Sequence, residues 1–124
     1  MSFISENDKA KMGNISREDA DRLEYGAVKV DANGKVLMYN RYESELAGVN
    51  PAVAEGKNFF TDIAPCTNNR LFLGKFKDGV ASKKLDVSFN YTFTYKMKPT
   101  SVEIHLLHQA SDQSNWILVK KKAA

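Results

Sequence analysis

Val87-Ser88-Phe89-Asn90-Tyr91-Thr92-Phe93-Thr94-Tyr95-Lys96-Met97 alternates between apolar and polar residues without a break. A period of two places successive side chains on opposite faces of an extended strand, so Val87, Phe89, Tyr91, Phe93, Tyr95 and Met97 share the buried face. Pro99 ends the run, because proline cannot donate to a strand ladder. Downstream, residues 102–107 and 116–119 read as two further strands, joined through the turn-forming Ser111-Asp112-Gln113-Ser114. Upstream, residues 69–78 read as a helix: Leu71, Phe72, Lys75 and Phe76 have i, i+4 spacing, and Gly79 suits the C′ position. Earlier still, residues 26–30 and 35–39 flank Asp31-Ala32-Asn33-Gly34, and Asn-Gly between two apolar runs is a hairpin signal.

Between the hairpin and the helix the pattern is helical but broken. Asn50-Pro51 marks a cap followed by proline at the first helical position, and Pro65 stops regular structure just before Cys66. The first two dozen residues are polar. Ser16-Arg17-Glu18-Asp19 has the form of a helix start with acids in its first turn, and Leu23 would face inward. Residues 1–24 therefore read as an N-terminal helical cap with too few apolar residues to fold alone, ahead of a core domain over 25–124. Strand runs separated by a helical block give an α+β class: a five-stranded antiparallel sheet with short helices on one face, and a ligand cavity between them.

Composition narrows the chemistry. The chain has 124 residues, 43% hydrophobic and 27% charged, which fits one soluble domain that buries roughly two-thirds of its unfolded surface. A single cysteine rules out an internal disulfide, and with two histidines it makes a four-ligand zinc site improbable. The net charge of +3 is too mild, and the basic residues too scattered, for a nucleic-acid surface. Nothing resembles a targeting or membrane-spanning segment, so the expected location is the cytoplasm, with Cys66 a free thiol and the Lys120-Lys121-Lys122 run a solvated terminus.

The residues around Cys66 go further. Gly56-Lys57-Asn58-Phe59-Phe60-Thr61-Asp62-Ile63-Ala64-Pro65-Cys66-Thr67 resembles the chromophore-attachment segment of the photoactive yellow protein family. Leu37-Met38-Tyr39-Asn40 with Glu43, Gly74-Lys75-Phe76, Gly79-Val80-Ala81-Ser82, Tyr91-Thr92-Phe93, Tyr95, Met97 and Trp116 match in the same register, over about residues 25–120. The resemblance implies a PAS domain that serves as a blue-light receptor rather than an enzyme. Its chromophore would be p-coumaric (4-hydroxycinnamic) acid, held as a thioester on Cys66, the only soft nucleophile in the chain.

It also implies roles. Tyr39 and Glu43 would donate hydrogen bonds to the buried chromophore phenolate; Glu43 can do so only if burial keeps it protonated. The Cys66 N–H would serve the thioester carbonyl. Phe59, Ile63, Ala64, Pro65, Thr67, Phe93, Tyr95 and Met97 would line the pocket, Met97 matching a methionine that helps the cis chromophore return. Light would isomerise the double bond, Glu43 would pass its proton to the phenolate, and the cap would loosen. Two positions depart from the family. Ala47 stands where a threonine bonds the tyrosine, and Val49 where an arginine lies over the chromophore.

Competing readings are a light-insensitive PAS ligand-sensing or interaction module, which Ala47 and Val49 favour slightly and the joint retention of Tyr39, Glu43 and Cys66 disfavours, and a cysteine enzyme using His105 or His108. If 102–108 is one strand, those histidines face opposite sides, and each reads best as a surface strand residue. A flavin photoreceptor is disfavoured, because Asn69-Arg70-Leu71-Phe72 lacks a cysteine. The expected partner is an unidentified downstream signalling protein, met by a monomer or weak dimer without nucleic acid or membrane.

Overall fold

The computed structural model describes residues 3–94 and 99–122. Five strands form one antiparallel sheet: β1 (Gly26–Val30), β2 (Val36–Tyr39), β3 (Asp86–Phe93), β4 (Thr100–Gln109) and β5 (Ser114–Lys121), in the order β2-β1-β5-β4-β3. The hairpin forms where Asn-Gly predicts it. Gly34 has φ +90°, and the Phe60 ring lies 2.7 Å from where a Cβ would stand, so a side chain is excluded twice over. Asp31 Oδ1 accepts from the N–H groups of Asn33 and Lys35, both at 2.9 Å, and closes the turn.

The alternating run becomes β3 as far as Phe93; Tyr95 and Met97 lie outside the described residues. β4 and β5 are longer than the sequence pattern indicates, and alternation divides them cleanly. Ile104, Leu106, Ile117 and Val119 face one side with Val28 and Val30, while Leu107, Trp116 and Leu118 face the other with Ala27.

Among the described residues, five α-helices accompany the sheet: α1 (Glu6–Lys11), α2 (Arg17–Asp21), α3 (Arg41–Ala47), α4 (Pro51–Ala54) and α5 (Lys75–Ser82). α1 and α2 belong to the N-terminal segment; α1 lies over the Trp116 face, where Ile4 and Met12 join Tyr25, Leu107 and Leu118, and α2 packs against α3. Ser16 and Asn50 cap α2 and α4 as their spacing predicts, accepting from Asp19 N–H and Ala52 N–H. The other face carries an aromatic core. Phe59, Phe60 and Phe72 are fully buried, with rings edge to face at 5.3 Å between Phe59 and Phe60 and 5.9 Å between Phe60 and Phe72.

Three expectations are corrected. Residues 69–78 are not one helix: Arg70–Gly74 is a π-helical turn, closed by Gly74 N–H on Asn69 C=O, and α5 follows it. Gly79 is not a C′ residue. It lies inside α5, where a Cβ would meet Leu85 Cδ1 at 2.3 Å, and the left-handed cap falls on Lys83 at φ +58°. Pro65 opens structure rather than stopping it: Pro65–Thr67 is a 3-10 turn containing Cys66, and proline, lacking an N–H, is at ease in its first position.

Candidate functional site

Tyr39 ends β2 and Glu43 stands in the first turn of α3; Asn40 joins them. The buried Asn40 amide makes four bonds. Its Oδ1 accepts from Glu43 N–H at 3.1 Å and Ala27 N–H at 2.9 Å, and its Nδ2 donates to the carbonyls of Ala20 at 2.8 Å and Tyr25 at 3.0 Å. That is the full capacity of an amide, so the angle between β2 and α3 is fixed. The fixed angle turns Glu43 inward, where it is 2% exposed and lies against the backbone of β1: a Cβ on Gly26 would stand 2.3 Å from Glu43 Oε1.

Burial disfavours the charged form and pushes the Glu43 pKa up to about 8. Tyr39 is wholly buried, and its hydroxyl is pushed far up, first by burial and then by the neighbouring Glu43 charge. Among the described residues, neither Tyr39 OH nor Glu43 Oε1 has a hydrogen-bond partner. Each such group costs about 1–3 kcal/mol in a folded core, so each calls for an explanation. Tyr42, the alternative by position, points away: its hydroxyl accepts from Lys121 N–H at 3.2 Å.

Tyr39, Phe59 and Phe93 belong to one buried cluster, and Val49, Ile63, Ala64 and Cys66 pack against it. Pro65 is half-buried in the Cys66 turn, and Ala47 half-buried at the end of α3. Thr67 is buried, but its hydroxyl donates to Ala64 C=O at 2.6 Å and so braces the turn. Val49 and Ile63 also line an open pocket with Val53, Lys57 and Asp62.

Cys66 is a free, half-buried thiol between two π-helical turns, Phe59–Ile63 and Arg70–Gly74. Its carbonyl accepts from the Tyr91 hydroxyl and from Asn69 Nδ2 at 3.1 Å, while Asn69 Nδ2 also donates to Tyr91 OH at 2.7 Å. Asn69 Oδ1 is committed to Phe72 N–H at 3.0 Å, which settles the amide's orientation. Asn40, Asn69 and Tyr91 are the site residues that sequence reasoning passed over. The signal for the first two was present, since asparagine ahead of a helical stretch is a cap.

The histidines do not serve Cys66. His105 is 3% exposed on the Trp116 face, with Nε2 2.6 Å from Asp86 Oδ1, so it is a buried residue and not a surface one. His108 bonds Asn115 Oδ1 through Nδ1 at 2.7 Å. Tyr91, which touches Cys66, pairs with Val102, six residues along β4 from His108, or about 20 Å. No described helix is long and apolar enough to cross a membrane.

The photoactive yellow protein of Halochromatium salexigens is 44% identical over 119 residues, 96% of this chain and 95% of that protein. The chain belongs to the photoactive yellow protein family. Its counterpart in Rhodothalassium salexigens is also 44% identical, over 94% of this chain and 90% of that protein. Among solved structures, the photoactive yellow protein domain of the sensor histidine kinase Ppr from Rhodospirillum centenum is 39% identical. It superimposes with a TM-score of 0.85 over 91% of this chain and 99% of that one. The PAS domain of the RpfR quorum-sensing receptor from Cronobacter turicensis has a TM-score of 0.66 at 12% identity, over 82% of this chain and 97% of that one, and shows the fold alone. No protein-family model matches the chain. The fold is thus a PAS domain of the photoactive yellow protein kind, and the family is one of sensory photoreceptors.

Proposed function

We propose that this protein is a blue-light photoreceptor carrying 4-hydroxycinnamic acid as a thioester on Cys66. The observation that carries this reading is a pair of buried atoms without partners among the described residues, the Tyr39 hydroxyl and Glu43 Oε1, with Tyr39 part of the cluster on which Cys66 packs. Membership of the photoactive yellow protein family supports it independently.

The chromophore, when bound, supplies the visible absorption and a double bond that light turns from trans to cis. Cys66 Sγ is the atom to be acylated, as its thiolate. The Asn69–Tyr91 pair holds the Cys66 peptide while that bond is carried. Tyr39 donates its O–H. Glu43, neutral at pH 7 because burial raises its pKa to about 8, donates its own. Two donors that met one buried phenol oxygen would favour its anion, although such a phenol has a pKa of about 10 in water. Ala47 brings no hydroxyl to Tyr39, in keeping with a Tyr39 hydroxyl that has no partner among the described residues.

In the light, Glu43 gives its proton to the phenolate and is left ionised. A buried charge without a partner costs roughly 3–5 kcal/mol, comparable with much of a small domain's stability. The N-terminal segment, residues 1–24, is the part that opens in response, and the exposed surface signals to a downstream protein in the cytoplasm.

Visible spectroscopy after adding an activated ester of 4-hydroxycinnamic acid tests the reading. The expected result is a blue-absorbing band that bleaches in light, returns in the dark and is absent from Cys66→Ala. A band confined to the near ultraviolet would remove the roles given to Tyr39 and Glu43. No band, with the thiol still free, would leave a light-insensitive PAS ligand-sensing or interaction module.

A further inference from the structure

β2 lies at one edge of the sheet, so its outward N–H and C=O groups need partners from elsewhere. The chain after α4 supplies them: Val36 N–H donates to Lys57 C=O, and Gly56 N–H donates to Val36 C=O, both at 2.8 Å. At Tyr39 the partner is a side chain instead. Tyr39 N–H donates to Glu55 Oε2 at 3.2 Å. The same carboxylate is gripped from the N-terminal segment, where Arg17 Nη2 lies 2.8 Å from Oε1 and 2.7 Å from Oε2. A chain of three residues therefore runs from the first turn of α2, through Glu55, to the peptide that carries the phenol of Tyr39.

The carboxylate has one state while α2 is docked and another when it is not. Docked, its charge is neutralised and it holds the end of β2. With Arg17 withdrawn, the carboxylate is an unpaired anion that water draws away from the Tyr39 N–H, and the end of β2 loses that hold. The Arg17 and Glu55 side chains are 49% and 25% exposed, so solvent screens the pair and its influence is modest.

We propose that Glu55 is a positioning residue for Tyr39 and that Arg17 makes its action depend on docking of the N-terminal segment. The proposal deepens the photoreceptor reading and rests on it. Coupling of this kind is reciprocal: a docked α2 favours the anionic phenol site, and disturbance of that site loosens the hold on α2. Glu55 is distinct from Asn40, which ties the same segment to Glu43 through buried bonds that carry no charge.

Four proteins test it: wild type, Arg17→Gln, Glu55→Gln and the double variant. In the reconstituted protein, Arg17→Gln slows dark recovery by about two- to fivefold, the range a partly exposed ion pair supports. Glu55→Gln, which keeps an acceptor for Tyr39 N–H, slows it less. The double variant matches Glu55→Gln, because removing the stranded anion relieves the loss of Arg17. Added salt slows the wild type and leaves the double variant unchanged. In the apoprotein, hydrogen exchange at the Tyr39 amide rises in Arg17→Gln and is restored by Arg17→Lys. Unaltered recovery in Arg17→Gln, or factors that multiply in the double variant, would overturn the proposal. If the wild type fails to bind chromophore, the photoreceptor reading fails on its own, and an unchanged Tyr39 amide in Arg17→Gln still refutes the link.

Discussion

The two faces of the sheet are held by different means. On the side of α3, α4 and α5, fully buried aromatic rings stack edge to face over β-branched strand residues, and the site sits inside that packing. On the opposite side, the described N-terminal segment contributes Ile4, Met12 and Ala20 as its buried apolar residues. Phe3, Ile15 and Leu23 pack against the same face only half-buried, and polar ties complete the attachment: Arg17 to Glu55, Lys9 to Asp86, Gln109 to the Lys9 carbonyl, and Asn14 N–H to Asp112. Polar contacts at a surface are each weak and are easily replaced by water, whereas a filled aromatic core is not. On the proposed function, a disturbance generated in the tight face is expressed in the loose one.

The largest test of this contrast is the pH dependence of the apoprotein. Glu43 titrates at 4.5 when unfolded and about 8 when folded. Between those values the folded chain holds a proton that the unfolded chain has released, so stability falls as the pH rises through that window and levels off above it. The full shift sets an upper bound of about 5 kcal/mol. Urea midpoints at pH 5 and pH 8 will separate for the wild type; Glu43→Gln will abolish the fall and be the more stable at pH 8, leaving the rise with pH that His105 contributes because burial lowers its pKa. Next in size, Phe72→Ala opens a cavity among rings that cannot collapse and costs about 3–5 kcal/mol of global stability.

Met12→Ala removes an equally buried side chain from the other face, yet its cost is limited by undocking of the segment. Denaturant titration will show about 2 kcal/mol or less, with protection against hydrogen exchange lost over 6–21 and kept in β4 and β5. A global loss equal to that of Phe72→Ala would break the comparison. The smallest effect is Ser16→Ala, which deletes the cap on Asp19 N–H and costs about 1 kcal/mol, read as faster exchange confined to α2.

Sequence reading succeeded where signals were local. Asn33-Gly34 marked the hairpin, the alternation from Val87 to Phe93 marked β3, and Ser16 and Asn50 marked their helices. It failed where distant residues decide. The π-helical turns at Phe59–Ile63 and Arg70–Gly74 widen the repeat beyond 3.6 residues, so a helical template reads through them. Gly79 is interior to α5 because Leu85 packs against it, and His105 is buried because α1 covers its face through Lys9 and Asp86. In the site, Cys66, Tyr39 and Glu43 were legible as a family pattern. Arg17 and Glu55, 38 residues apart, leave no mark that spacing can detect.

The central claim is that burial keeps Glu43 protonated so that it can serve, and then protonate, a phenol anion. A light-minus-dark infrared difference spectrum of the reconstituted protein tests this most directly. The account predicts loss of a protonated carboxylic-acid band on illumination, its return during dark recovery, and its absence from Glu43→Gln. A photocycle that runs with no change in any protonated carboxyl band, or with the same band in Glu43→Gln, would contradict it.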